Sequence, residues 1–114
     1  MPRKHEQLEN DVKRELAIIF RELKDPRLHN NVLSVVRIEL SNDLSHCKVF
    51  VSSIEGLEKA TEATNALTGA KGIVKKEIFT RLGLRRAPDF KFIPDDSVEY
   101  SAKIGEILKN ELKT

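Results

Sequence analysis

Residues 65–92 read NALTGAKGIVKKEIFTRLGLRRAPDFKF, and they decide how this chain can fold. Two helical patterns flank a central tetrad in which Gly69 and Gly72 bracket Ala70 and Lys71. Because glycine has no Cβ atom, such a tetrad allows the backbone to bend or another backbone to come close. We therefore predict that one helix ends at this tetrad and that a second helix begins near Lys71.

The same tetrad matches G-x-x-G, the pattern with which KH domains clamp a nucleic-acid backbone. The first amides of a restarted helix lack intrahelical partners, which suits a phosphate group. An ordinary helix C-cap explains a glycine-rich junction equally well, so the motif is weak by itself. The tetrad alone leaves both interpretations open.

The segment that follows the tetrad is strongly basic. Residues 71–91 contain seven Lys and Arg residues and two acidic residues, a net charge of +5, whereas the whole chain carries only +2. Basic residues on a helix are often only solvated surface, but a local excess of this size favours a polyanionic partner such as RNA. We predict that the RNA-binding side chains are Lys71, Lys75, Lys76, Arg81, Arg85 and Arg86.

The composition of the 114 residues is that of one globular domain with an aliphatic core and a charged surface. Aromatic residues make up only 5%, too few for the base-stacking platforms of RRM sheets and OB-folds. RNA binding would then rest on contacts with the RNA backbone. The sequence also lacks the apolar segment of a signal peptide or of a membrane span, so we expect a cytoplasmic protein.

The spacing of apolar residues predicts four helices and three strands in the order α-β-β-α-α-β-α. The first helix runs from about His5 to Lys24, and Asp25-Pro26 ends it. Residues 32–40 are rich in β-branched side chains and alternate in their second half, and Cys47, Val49 and Val51 resume the alternation after a polar turn, which predicts a β-hairpin.

A helix, a strand and a last helix are predicted after the tetrad. Gly83 marks the end of the second central helix, and residues 89–93 form a short strand that Pro94-Asp95-Asp96 closes. Ser97 then caps a last helix. Helices that pack on one three-stranded sheet give a single α+β domain over residues 1–114, with the strand order left open.

Residue types that serve catalysis or metal binding are scattered along the chain. No phosphate loop, dinucleotide-binding fingerprint, HExxH or paired-cysteine motif is present. Cys47, the only cysteine, lies in an alternating apolar pattern that predicts a buried thiol. His5, His29 and His46 lie far apart, and Asp95-Asp96 fits a turn before a helix. We predict no catalytic residue, no metal site and no cofactor.

Longer strings of residues resemble the ribosome-binding factor A family. They are LKDPRL at residues 23–28, IELSNDLSHCKVFVS at residues 38–52 and LRRAPDFKF at residues 84–92, and they follow one another in the family order. The resemblance implies a type II KH-like fold, α-β-β-α-kink-α-β plus a C-terminal helix. It also implies that the KH glycine loop is reduced to an A-x-G helix kink, here Ala70, Lys71 and Gly72.

The resemblance further implies a function. Members of this family bind the free 30S ribosomal subunit late in its maturation, assist processing of the 5′ end of 16S rRNA and support growth in the cold. We expect a non-catalytic monomer that contacts the 30S subunit and 16S rRNA and no membrane. Two alternatives stay open, namely a general KH-like RNA chaperone and a module that docks a ribosomal protein or an assembly GTPase through Glu55, Glu58 and Glu62.

Overall fold

The computed structural model describes residues 2–29 and 31–96. The elements are α1 (Pro2–Glu22), α2 (Pro26–His29), β1 (Leu33–Leu40), β2 (His46–Ser53), α3 (Leu57–Gly69), α4 (Lys71–Leu82) and β3 (Asp89–Asp95). The predicted α+β class and the predicted order through β3 are confirmed, with α2 as an addition. The predicted last helix, with its cap at Ser97, lies outside the described residues.

α1 packs an apolar stripe into the core. Val12, Leu16 and Ile19 lie three or four residues apart on one side of the helix, and each is at most 1% exposed. α1 ends at Glu22, before the predicted stop at Asp25-Pro26. That dipeptide instead begins α2, because the Asp25 carboxylate accepts a hydrogen bond from the Arg27 amide at 2.9 Å and proline suits a first helical position.

α1 also covers the outer edge of β1, an edge strand whose backbone groups would otherwise lack partners. His5 Nε2 donates to the Leu40 carbonyl at 2.8 Å, and the Leu40 amide donates to Glu9 Oε2 at 3.0 Å. Unpaired edges invite pairing with other chains, so these two bonds protect the sheet at this end.

β1 and β2 form the predicted antiparallel hairpin, with Leu40 opposite Cys47. Its turn is held by Asp43, whose carboxylate accepts hydrogen bonds from the Ser41 hydroxyl at 2.8 Å and from the Ser45 hydroxyl at 2.7 Å. These hydrogen bonds, of which the one from Ser45 has the largest effect, hold the pKa of Asp43 well below its usual range. The short polar side chains of this turn therefore fix the hairpin.

β3 pairs in parallel with β2 and completes a sheet of order β1-β2-β3. Phe90 and Phe92 face the core and are 1% and 7% exposed. The prediction that Pro94 closes this strand is wrong, because β3 continues through Pro94 to Asp95. β3 is the outer strand of the sheet, and an edge strand tolerates proline since its outward amide needs no partner.

The two central helices meet at Ala70, whose backbone angles are φ −97° and ψ 13°. Its amide still donates to the Ala66 carbonyl at 3.1 Å, and its carbonyl accepts from the Val74 amide at 3.0 Å. Hydrogen bonds thus bridge the junction while α4 changes direction. None of the helices among the described residues has the length and apolar character needed to cross a membrane.

Candidate nucleic-acid interface

α4 holds most of the basic side chains predicted to bind RNA. Val74 and Ile78 fix the orientation of this helix, because both are fully buried in the core at 0% exposure. Lys71 and Lys76 are exposed, and Lys75 is half-buried. The core contacts therefore leave these three lysines accessible from solvent.

Lys75 is held in place by the first residue of β3. Its Nζ atom lies 2.8 Å from Asp89 Oδ1, and both side chains remain accessible to solvent. The hydrogen bond from Lys75 is the main cause that lowers the pKa of Asp89, and the charges of Lys71 and His46 act in the same direction. An exposed pair of this kind adds little stability, but it positions the ammonium group.

Lys71 borders a shallow cleft at the start of β2 and β3, which adds basic side chains absent from the sequence-based assignment. The cleft is also lined by Lys48, Lys91 and His46. Lys48 and Lys91 are direct partners in the parallel register of these strands. The sequence carries no signal for this pairing, because it depends on which strands become neighbours in the sheet.

Arg81 differs from the other predicted residues in its ion pairs. Its guanidinium group lies 2.6 Å from Glu22, 3.1 Å from Glu77 and 3.4 Å from Glu15. The hydrogen bond to Glu77 is the main cause that raises the pKa of Arg81. Because Glu15 and Glu22 belong to α1, the Arg81 side chain joins α4 to α1, and three carboxylates already surround its charge.

Arg85 and Arg86 lie in the loop between α4 and β3. Gly83 ends α4 in the left-handed conformation with φ 60°, and the Leu84 amide donates to the Phe79 carbonyl at 3.3 Å. This cap turns the chain, and the two following arginines are exposed. Neither they nor Lys76 form a salt bridge with any residue in the ranges 2–29 and 31–96.

All six predicted RNA-binding residues lie on α4 or in the loop after it, and Arg81 differs from the other five because three carboxylates surround it. We call the five the basic surface: Lys71, Lys75, Lys76, Arg85 and Arg86. Four of them, all but Lys75, form no salt bridge in the described part of the chain, so this surface suits phosphate groups.

Gly69 and Gly72 do not create the bend between the central helices. Neither has a positive φ angle, and a Cβ atom added to either glycine would meet no atom within 4 Å. The change of direction lies at Ala70, while Gly72 belongs to the exposed first turn of α4. The fold of the described residues therefore requires glycine at neither position.

In the ranges 2–29 and 31–96, no group of three or more His, Cys, Asp or Glu side chains is arranged to hold a metal ion. Cys47 is buried, and burial raises the pKa of its thiol to about 12. The thiol is therefore protonated near neutral pH and is a poor nucleophile.

The comparison with protein families identifies the chain. A family model described as Ribosome-binding factor A matches residues 4–108, which is most of the sequence. The chain belongs to the ribosome-binding factor A family. The family resemblance seen in the sequence is thereby confirmed.

Curated members of the family resemble this chain over most of its length. The ribosome-binding factor A of Caldicellulosiruptor saccharolyticus is 43% identical over 100 residues, which cover 86% of this chain and 74% of that protein. The factor of Carboxydothermus hydrogenoformans is 41% identical over 107 residues, which cover 93% of this chain and 84% of that protein. The similarity therefore extends well beyond any single motif.

Solved structures of the family have the same fold. The crystal structure of ribosome-binding factor A from Thermus thermophilus matches with a TM-score of 0.68 at 34% identity, covering 77% of this chain and 91% of that one. A solution structure of the Thermotoga maritima protein matches with a TM-score of 0.70 at 32% identity, covering 82% and 88%. The fold predicted from the family resemblance is confirmed.

A third match concerns a complex. A homology model of the Thermus thermophilus factor, fitted into a cryo-EM map of its complex with the 30S subunit, matches with a TM-score of 0.63 at 34% identity. The match covers 76% of this chain and 90% of that protein. That relative has therefore been placed in a complex with the 30S subunit.

Proposed function

We propose that this chain binds the free 30S ribosomal subunit and assists the late maturation of that subunit, including processing of the 5′ end of 16S rRNA. The observation that carries the proposal is its match to the Thermus thermophilus factor placed in a 30S complex, at 34% identity over 76% of the chain. In this role the protein acts in the cytoplasm, supports growth in the cold, and works as a monomer without a cofactor.

The basic surface is the part of the molecule we assign to the RNA contact. Lys75 is oriented by Asp89 at 2.8 Å, Lys76 follows it on α4, and Arg85 and Arg86 lie in the loop before β3. Lysine and arginine side chains of this kind neutralise phosphates, which fixes position on RNA without reading its sequence. Selection of the site would then come from the shape of the rRNA.

Co-sedimentation with separated ribosomal particles tests the proposal. We expect the full chain to pellet with free 30S subunits and to pellet poorly with 50S subunits and 70S ribosomes, because the family match points to the small subunit. Equal recovery with 30S and 50S subunits would contradict the assignment. Equally tight binding to unrelated structured RNA would favour the general RNA chaperone, and capture of a protein partner that resists ribonuclease would favour a protein-docking module.

The glycine tetrad gives a separate prediction about how RNA meets α4. We expect Gly69→Ala and Gly72→Ala to fold normally and to gain up to about 1 kcal/mol in the free energy of unfolding, because alanine is favoured over glycine in helices. No atom lies within 4 Å of the added Cβ at either position. Chemical denaturation of both variants measures this effect.

Binding of the same two variants to the 30S subunit separates the A-x-G kink from a G-x-x-G clamp. We expect Gly69→Ala to bind as the unchanged chain does, since Gly69 ends α3 and does not bend the backbone. A clamp would need both glycines for close approach of the RNA backbone. A stably folded Gly69→Ala variant that no longer binds would therefore contradict the kink assignment.

A further inference from the structure

Phe79 is an exposed aromatic side chain on the same helix as the basic surface. Its side chain is 44% exposed, whereas Val74 and Ile78 supply the core contacts of α4. The contacts between aromatic rings among residues 2–29 and 31–96 join Phe20, Phe90 and Phe92, and Phe79 takes no part in them. Phe79 is thus outside the core cluster of the described residues and outside the ring contacts within that core.

The neighbours of Phe79 on the outer side of the helix are basic or lack a side chain, whereas the half-buried Leu82 lies three residues after it on the core side. Lys75 and Lys76 precede it by four and three residues, which places them beside the ring one turn away. Gly72 lies two turns before it and Gly83 one turn after it, and both glycines face open space. The ring thus lies in a clear strip of helix surface with ammonium groups along one end.

We propose that Phe79 stacks against an unpaired base of the RNA whose phosphates are bound by Lys75 and Lys76. This inference rests on the proposed function and specifies its substrate class as RNA with an unstacked nucleotide, in contrast to a continuous duplex. A planar base can lie on the ring because no side chain occupies positions 72 and 83. Aromatic stacking of this kind tolerates any base, which agrees with positioning by phosphates.

Charge favours RNA over a protein as the occupant of this strip. Ile73 is the other large apolar side chain exposed on α4, at 57%, but the exposed Lys76 stands between Ile73 and Phe79 on the outer side of the helix. The two apolar groups therefore do not merge into one patch of the kind that marks a protein contact. A single exposed ring beside two lysines suits a base with its neighbouring phosphates.

Two RNA hairpins that share the same tightly stacked tetraloop test the inference, one with a fully paired stem and one with a single bulged adenine in that stem. Fluorescence anisotropy of the full chain is expected to show a preference for the bulged hairpin of about 5- to 150-fold, the affinity that one aromatic stacking position contributes. Phe79→Ala should abolish that preference and leave the salt dependence unchanged. Phe79→Tyr should retain the preference, because the ring is kept.

Ile73→Ala is the matched control, since it also removes an exposed apolar side chain from α4. We expect it to keep the preference for the bulged hairpin, and we expect thermal melts to show that all three variants fold. The proposal is overturned if Phe79→Ala keeps the preference or if the unchanged chain has none. It is also overturned if Phe79→Ala weakens only 30S binding with no effect on either hairpin, which would indicate a contact with a ribosomal protein.

The two proposals can fail separately. If the unchanged chain does not bind 30S subunits but discriminates between the hairpins through Phe79, the stacking proposal stands and the ribosomal function is wrong. If the chain binds 30S subunits and shows no discrimination, the function stands and the stacking proposal is wrong.

Discussion

Replacement of Lys75, Lys76, Arg85 and Arg86 by alanine is expected to lower the affinity for the 30S subunit by about 200- to 1000-fold at about 0.15 M salt. Each phosphate contact contributes roughly 0.7–0.9 to the slope of log affinity against log salt, so the loss of four contacts should flatten that slope by about three to four units. The affinity loss follows from this slope if the variant and the unchanged chain bind equally at about 1 M salt.

The fold should survive this quadruple change. Exposed charges usually alter the free energy of unfolding by only about 0.5 kcal/mol in either direction, and only Lys75 of the four has an ion-pair partner within residues 2–29 and 31–96. A salt titration of 30S binding, run beside a denaturant titration, separates affinity from stability. A slope that does not change would place the RNA contact elsewhere on the protein.

Arg81→Gln is the matched control for that experiment. Its guanidinium group is shared by Glu15, Glu22 and Glu77, so its loss leaves three carboxylates near one another and should lower the melting temperature. The slope against salt should stay as it is in the unchanged chain. If Arg81→Gln flattens the slope without loss of stability, the original assignment of Arg81 to RNA binding is correct.

Much of the fold could be predicted because it depends on short-range patterns. The helical spacing in α1 and the alternation in β1 and β2 place apolar side chains on one side of each element, and burial of that side removes them from water. The extension of β3 past Pro94 could not be predicted in this way. Whether proline interrupts a strand depends on the position of that strand in the sheet, and the sequence does not show that β3 lies at an edge.

The candidate site was predictable to the extent that one helix determines it. Burial of Val74 and Ile78 follows from their spacing, and it turns Lys75 and Lys76 away from the core. The ion pairs of Arg81 could be predicted only in part. Glu77 precedes it by four residues and is visible in the sequence, but Glu15 and Glu22 reach it through the packing of α1 on α4.

Phe90→Ala is expected to cost about 3–5 kcal/mol in the free energy of unfolding, the usual range for removal of a buried phenylalanine side chain. Phe90 is among the largest fully buried side chains and is 1% exposed. Its ring stacks on Phe92 with 6.1 Å between the ring centroids. Since a domain of this size has a total stability of only about 5–15 kcal/mol, the variant should be close to unfolding.

Loss of Phe90 should also affect RNA binding, because its neighbours in β3 are Asp89, which orients Lys75, and Lys91, which lines the cleft beside Lys71. We expect 30S binding by Phe90→Ala to fall in proportion to the folded fraction, with the salt slope of that fraction unchanged. Phe79→Ala is the matched control, because it makes the same substitution at an exposed ring and should change stability by only about 0.5 kcal/mol. The burial of Phe90 indicates that the core depends on β3. Equal destabilisation by the two variants in denaturant titrations would contradict this dependence.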